Sequence, residues 1–73
     1  MKSVPRIGDV IPIITGDATV IDIKEENRVI VLASRRHSHH PYATWAWGHE
    51  IGLHGGHYFT TLSEARTDYE ERR

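Results

Sequence analysis

The stretch "GDATVIDIKEENRVIVLAS", residues 16–34, decides most of what this chain can fold into. It holds two runs rich in β-branched residues, separated by Glu25, Glu26 and Asn27. In the first run Thr19, Ile21 and Ile23 alternate with Val20, Asp22 and Lys24. That is a period of two, the mark of a strand with one apolar face. In the second run Val29, Ile30, Val31 and Leu32 follow without a break. A strand apolar on both faces needs cover on both, so Arg28 to Ala33 is expected to be the central, most buried strand. Asn27 tolerates the left-handed backbone that a short connecting loop requires. The pair reads as an antiparallel hairpin, and the rest of the chain must add to it.

At 73 residues there is room for one small domain, and the whole of 1–73 is assigned to it. A domain this short buries only about 60% of its unfolded surface, which leaves it marginal without a staple. There is no cysteine. Disulfides, thiolate zinc sites and a thiol nucleophile are therefore excluded. "MKSVPRIGDV" has no apolar signal core, and no run approaches the ~20 apolar residues of a membrane helix. A cytoplasmic location and no membrane partner are the expectations.

The flanking segments extend the sheet. "RIGDVIPII" passes a Gly8-Asp9 turn into a short apolar strand, and Pro12, lacking an N–H, places it at an edge. Gly16-Asp17 reads as the turn that follows. "SRRHSHHP" is a polar loop, with His40 pushed toward extended geometry by Pro41. "YATWAW" puts Ala43, Trp45 and Trp47 on one face and Tyr42, Thr44 and Ala46 on the other. "GHEIG" is a turn-rich connector, and "LHGGHYF" is a return strand weakened by Gly55 and Gly56. Thr61 with Glu64 fits the capping box of a helix start. Leu62, Ala65 and Tyr69 then form its narrow apolar stripe. The expected fold is β-rich α+β: strands over about residues 8–59 and a helix over about 61–72. They form a five-stranded antiparallel sheet, or a small open barrel, with one C-terminal helix.

All six histidines, both tryptophans and the single phenylalanine fall within "HSHHPYATWAWGHEIGLHGGHYF", residues 37–59. A metal set would need three or four imidazoles or carboxylates converging on one ion. His37 and His39 share a face of an extended segment, and His54 and His57 lie on the opposing strand, with Glu50 in the turn between. Zn²⁺ or Ni²⁺ at His37, His39, His54 and His57 is thus one alternative. The spacing matches no metal motif: "HEIGLH" sets His49 and His54 five residues apart, where H-E-x-x-H needs four. No cofactor is expected. His57 is read instead as a residue that bonds a neighbouring backbone group or carboxylate. The two tryptophans exceed what Leu62, Ala65 and Tyr69 can cover, so one is expected at the rim beside Arg35 and Arg36. There it would form a hot-spot-like patch for a protein or a stacking surface for a base.

Two resemblances accompany this reading. "IGDVI" and "GDATVIDIKEENRVIVL" resemble the entry strand and following hairpin of small SH3-like barrels. "HPYATWAW", a spacer and "GHYFTTLSEARTDYEERR" are similar to a pattern of small uncharacterised bacterial and phage proteins. In these a His-Pro-aromatic strand with Trp precedes Gly-aromatic-Phe and a Glu-Ala helix. The second resemblance covers about half the chain. It implies a fold and a phage or mobile-element source, and it carries no catalytic residues over.

Lys and Arg number nine against ten Asp and Glu, which disfavours non-specific nucleic-acid binding driven by counterion release. A Ser-His-Asp set can be drawn from Ser34 or Ser38, a histidine and Asp22, but no nucleophile elbow, oxyanion loop or phosphate cradle accompanies it. The expectation is a non-enzymatic interaction module that binds and modulates a host or partner macromolecule, as in host takeover or anti-defence. The surface assigned to it is Arg35, Arg36, His37, His39, His40, Trp45, Trp47 and Tyr58. A nucleic-acid-binding small barrel and a histidine-based metal or ligand binder are the alternatives. A homodimer through the edge strands, at Pro12 and at His54 to Phe59, is open.

Overall fold

The computed structural model describes residues 3–13, 16–36 and 38–72. It contains β1 (Val10–Ile13), β2 (Gly16–Glu25), β3 (Val29–Ser34), β4 (Tyr42–Gly48), β5 (Gly52–Phe59) and α1 (Leu62–Glu71). The strands pair antiparallel in chain order, with β1 and β5 at the two edges. The sheet curls into a half-barrel, and α1 packs on the outside of β3, β4 and β5. β3 is the central strand, as its doubly apolar sequence requires. Ile30, Val31 and Leu32 are fully buried, Val31 on the concave face and its two neighbours under the helix. Each such side chain contributes about 1.5–3 kcal/mol over its exposed state.

Two β-bulges set which residues share a face, and the first corrects the sequence reading. Val20 pairs with Ala33 and Asp22 with Leu32, so Ile21 is an extra residue in β2. An inserted residue shifts the phase of the alternation. Val20 therefore joins Ala18 and Ile23 on the concave face, and Ile21 packs on the helix side. In the second bulge Thr44 pairs with His57 and Ala46 with His54, leaving Trp45 opposite Gly55 and Gly56. Gly55 has φ 61°, a left-handed conformation that glycine adopts without steric cost. Gly16 and Asp17, expected as a turn, are the first residues of β2, paired with Ile13 and Pro12. The Gly8 turn is present: Gly8 has φ 92°, and Asp9 accepts the Arg6 N–H at 2.9 Å.

The helix begins where its capping box predicts. Thr61 Oγ1 accepts the Glu64 N–H at 3.2 Å and donates to the Glu64 carboxylate at 3.0 Å. Ala65 and Tyr69 are buried against Ile30, Leu32 and Ala46. Leu62, the expected start of the stripe, is instead 38% exposed, and Ile21, Tyr42 and Phe59 flank the cluster. At the C-terminal end the Lys24 ammonium donates to the Glu70 carbonyl at 3.1 Å and lies 5.2 Å from the Tyr69 ring centre. A cation is favourable at the negative end of the helix dipole, and here the sheet supplies it. Among the described residues no helix is long and apolar enough to cross a membrane.

Candidate functional site

The concave face of the half-barrel holds a recess. Its floor is aromatic: Trp45 and Trp47 of β4 line it, and Ala18, Ala33 and Ala43, on β2, β3 and β4, are buried in the same apolar cluster. The groove has a volume of about 1070 Å³ and lies between the two sheet edges. One wall is β1, with Ile11 and Ile13, continued by Val4 and Pro5 of the N-terminal segment. The other is Leu53 and Tyr58 of β5, with Ile51 in the turn before it. Arg35 and His40 stand at one end, where the β3–β4 loop meets the groove.

Both tryptophans line this groove, which corrects the expectation of one at the rim. Trp45 and Trp47 are 5% and 6% exposed. The helix, with Ala65 and Tyr69, covers the opposite face. The tryptophans are covered instead by the curl of the sheet, by Leu53 and by Val4. Tyr58 is the exposed aromatic, at 49%. Its ring meets Trp45 edge-on, with centres 6.0 Å apart, and carries the Arg35 guanidinium 4.6 Å from its centre. Such a stack combines ring–ring and cation–ring attraction. Gly56 makes room for it. A Cβ there would lie 2.5 Å from the Tyr58 hydroxyl and 2.7 Å from Trp45 Nε1. The glycine that weakens the strand in the sequence is thus what lets tyrosine fold back onto tryptophan.

Of the residues assigned to a binding surface, Arg35, His40, Trp45, Trp47 and Tyr58 are brought together around the groove. Arg35 is held by its N–H to the Pro41 carbonyl at 2.6 Å, and its guanidinium donates to the His40 carbonyl at 3.3 Å. Arg36 and His39 are exposed in the loop and do not line the groove. His37 lies outside the described residues. Sequence reasoning missed the β1 wall, Pro5, Ile11 and Ile13, and the apolar residues Ile51 and Leu53 beside Tyr58. The alternation of Ile11 and Ile13 about Pro12 was the available signal, but only the curl turns that face toward β5.

Of the residues named for a metal set, His37 lies outside the described residues, and His39, His54 and His57 form no ion-holding group. His54 and His57 lie on the helix side of β5, opposite Ala46 and Thr44. Among the described residues no group of three His, Asp or Glu side chains could hold an ion. His57 does find a carboxylate: its Nδ1 lies 3.0 Å from Asp68 Oδ2. The same oxygen accepts the hydroxyl of the fully buried Thr44 at 2.6 Å. Arg72 donates to the Thr44 carbonyl at 3.2 Å and to its hydroxyl oxygen at 3.1 Å. Partial burial acts to raise the Asp68 pKa, but the Thr44 and His57 hydrogen bonds and the charges of His57 and Arg72 outweigh it. The carboxyl is held below its usual value. This network clasps α1 to β4 and β5. The hydroxyl and the imidazole sit on one carboxylate, so it lacks the nucleophile–base contact of a hydrolase triad.

Comparison with protein-family models, curated proteins and solved structures finds no match to this chain.

Proposed function

We propose that the chain is a non-enzymatic interaction module that binds a partner protein in the concave groove. One observation carries the reading: an aromatic floor, Trp45 and Trp47, lies beside an exposed Tyr58 that stacks an arginine. Tryptophan, tyrosine and arginine are the residues that dominate protein–protein hot spots, above all where a concavity lets them desolvate together. The reading of no catalysis draws on chemistry, since the groove lining offers one acid, Asp9, whose Oδ2 already accepts the Arg6 N–H. Should the phage or mobile-element resemblance hold, the partner would be a host protein.

Nucleic acid is the weaker reading. Arg35 is the single arginine or lysine along the groove among the described residues, and the formal net charge is −1. Few phosphates would be neutralised, so little counterion release would drive binding.

The test is affinity purification from the host with nuclease treatment, comparing the native chain with Ile51→Asp and Arg36→Ala. Ile51 lines the groove but is 65% exposed, so an aspartate there charges the site and spares the core. Capture that resists nuclease, survives Arg36→Ala and is lost in Ile51→Asp is expected. Capture abolished by nuclease, or indifferent to Ile51→Asp, overturns the proposal.

A further inference from the structure

Resting on the groove as the partner site, we propose its occupant: an extended peptide segment that carries an acidic residue beside apolar ones. The carboxylate lodges at the Arg35–His40 end, and the apolar side chains run along Trp45 and Trp47.

The shape of the groove favours an extended chain. It lies open between two sheet edges that do not pair with each other. The molecule measures 31 × 25 × 20 Å. At about 3.3 Å per residue, an extended segment of roughly six residues would span its shortest dimension. The protein supplies a partial precedent. Val4 packs against the tryptophan cluster from the N-terminal segment, and Pro5 beside it is buried. A short apolar stretch containing proline already finds this face favourable.

The chemistry of the groove favours an acidic residue at one end. Arg35 is oriented before any ligand arrives, stacked on Tyr58 and tied to the His40 and Pro41 carbonyls. A guanidinium fixed in this way loses little freedom on binding a carboxylate, and its planar fork matches carboxylate geometry. Beyond this end Trp45, Trp47, Leu53 and Ile51 are apolar over most of their surface. The complement of that sequence of surfaces is an acid followed by apolar side chains.

A second copy of the chain fits less well. Strand addition needs a free edge with regular donors and acceptors. β1 carries Pro12, which has no N–H, and β5 carries the Gly55–Gly56 bulge. Both are devices that blunt an edge.

Selection of random displayed peptides on the immobilised full chain tests the proposal, followed by titration of the winners against tryptophan fluorescence. Enrichment of peptides with Asp or Glu next to aromatic or aliphatic residues is expected. Arg35→Gln should weaken them by about tenfold, the worth of a charge-assisted hydrogen bond. Ile51→Asp should weaken them as well, and circular dichroism confirms that both variants fold. Winners that are basic or uncharged but still lost in Ile51→Asp overturn the acidic occupant and leave the groove as the partner site. Winners indifferent to Ile51→Asp, or no enrichment at all, overturn the occupant and count against the groove itself. A concentration-dependent dimer that Ile51→Asp dissolves would assign the groove to a second copy and also overturn the proposal.

Discussion

The two faces of the sheet bury similar side chains and end in different states. On the convex face Ile30, Leu32 and Ala46 are closed over by Ala65 and Tyr69. Thr44, Asp68, His57 and Arg72 then fasten the helix down. On the concave face Val31, Trp45 and Trp47 are buried by curvature and by a few residues of the N-terminal segment, and a groove is left beside them. One face is completed by a dedicated element that makes polar bonds at its edge. The other is completed only in part, with aromatic rings and an oriented arginine at the opening. The capacity for binding follows from that incompleteness, since a surface already covered by its own helix has nothing to offer a partner.

Neighbouring residues of β3 test the comparison most severely. Leu32 points under the helix and Val31 toward the groove floor, and both are fully buried. Leu32→Ala should cost about 3 kcal/mol, because the packed helix cannot collapse into the space left behind. Val31→Ala removes one carbon fewer and should cost about 2 kcal/mol. Chemical denaturation with an unchanged slope measures both. A Val31→Ala midpoint equal to the native one would show that the concave side is not a true core.

A double-mutant cycle isolates the clasp. Thr44→Val removes the donor and Asp68→Ala the acceptor of the 2.6 Å hydrogen bond. A charge-assisted bond to a buried hydroxyl predicts a coupling of about 2 kcal/mol. A coupling near zero would mean that the Thr44–Asp68 bond does not hold α1, and the fastening would rest on Ala65, Tyr69 and the other polar ties such as Lys24 to the Glu70 carbonyl.

The same face should make stability depend on pH at both extremes. Asp68 is held below 3.8 in the folded chain, so the unfolded chain takes up its proton first on acidification. Its contribution is present above the unfolded pKa and lost as pH falls through the lower folded one. Tyr69 is pushed up to about 12, by burial first and then by the nearby charge of Asp22. The folded state keeps the phenol proton where the unfolded state releases it, so stability is present below pH 10 and lost as pH rises toward 12. Denaturation midpoints across pH should flatten on the acid side in Asp68→Asn and on the alkaline side in Tyr69→Phe. An acid limb unchanged by Asp68→Asn would remove Asp68 from the account.

How legible these faces were in the sequence depended on how local their causes are. The central position of β3 was readable, because a run apolar on both sides leaves few other places for it. So was the helix start, since Thr61 and Glu64 satisfy each other within one turn. The phase of β2 was not readable. The bulge at Ile21 arises from pairing with β3, and no residue of β2 announces it. The groove was half readable: Arg35, His40, Trp45, Trp47 and Tyr58 stood out by residue type. Their opposite wall did not, because curvature brings Ile11 and Leu53 toward one recess from strands that never pair. Of the Asp68 clasp, the sequence offered only a backbone group or a carboxylate as the partner of His57. Thr44 and Arg72 join it across 24 and 28 residues of sequence separation from Asp68 and Thr44 respectively.

The smallest expected effect lies in the loop that leads into the groove. Ser38 Oγ accepts the His40 N–H at 3.2 Å, a local bond near the surface. Water can replace it, so Ser38→Ala should change stability by no more than about 0.5 kcal/mol. Its value lies in separating two roles of the loop. Arg35 is tied to the His40 and Pro41 carbonyls, so the placement of the guanidinium depends on the course of the backbone through His40. If the Ser38 bond helps to set that course, peptide affinity should fall in Ser38→Ala while the denaturation midpoint stays in place. Unchanged affinity would show that Tyr58 stacking and the Pro41 carbonyl suffice to orient the arginine. A shifted midpoint would show instead that the loop belongs to the core of the half-barrel, and the line between a fastened face and an open one would have to be drawn elsewhere.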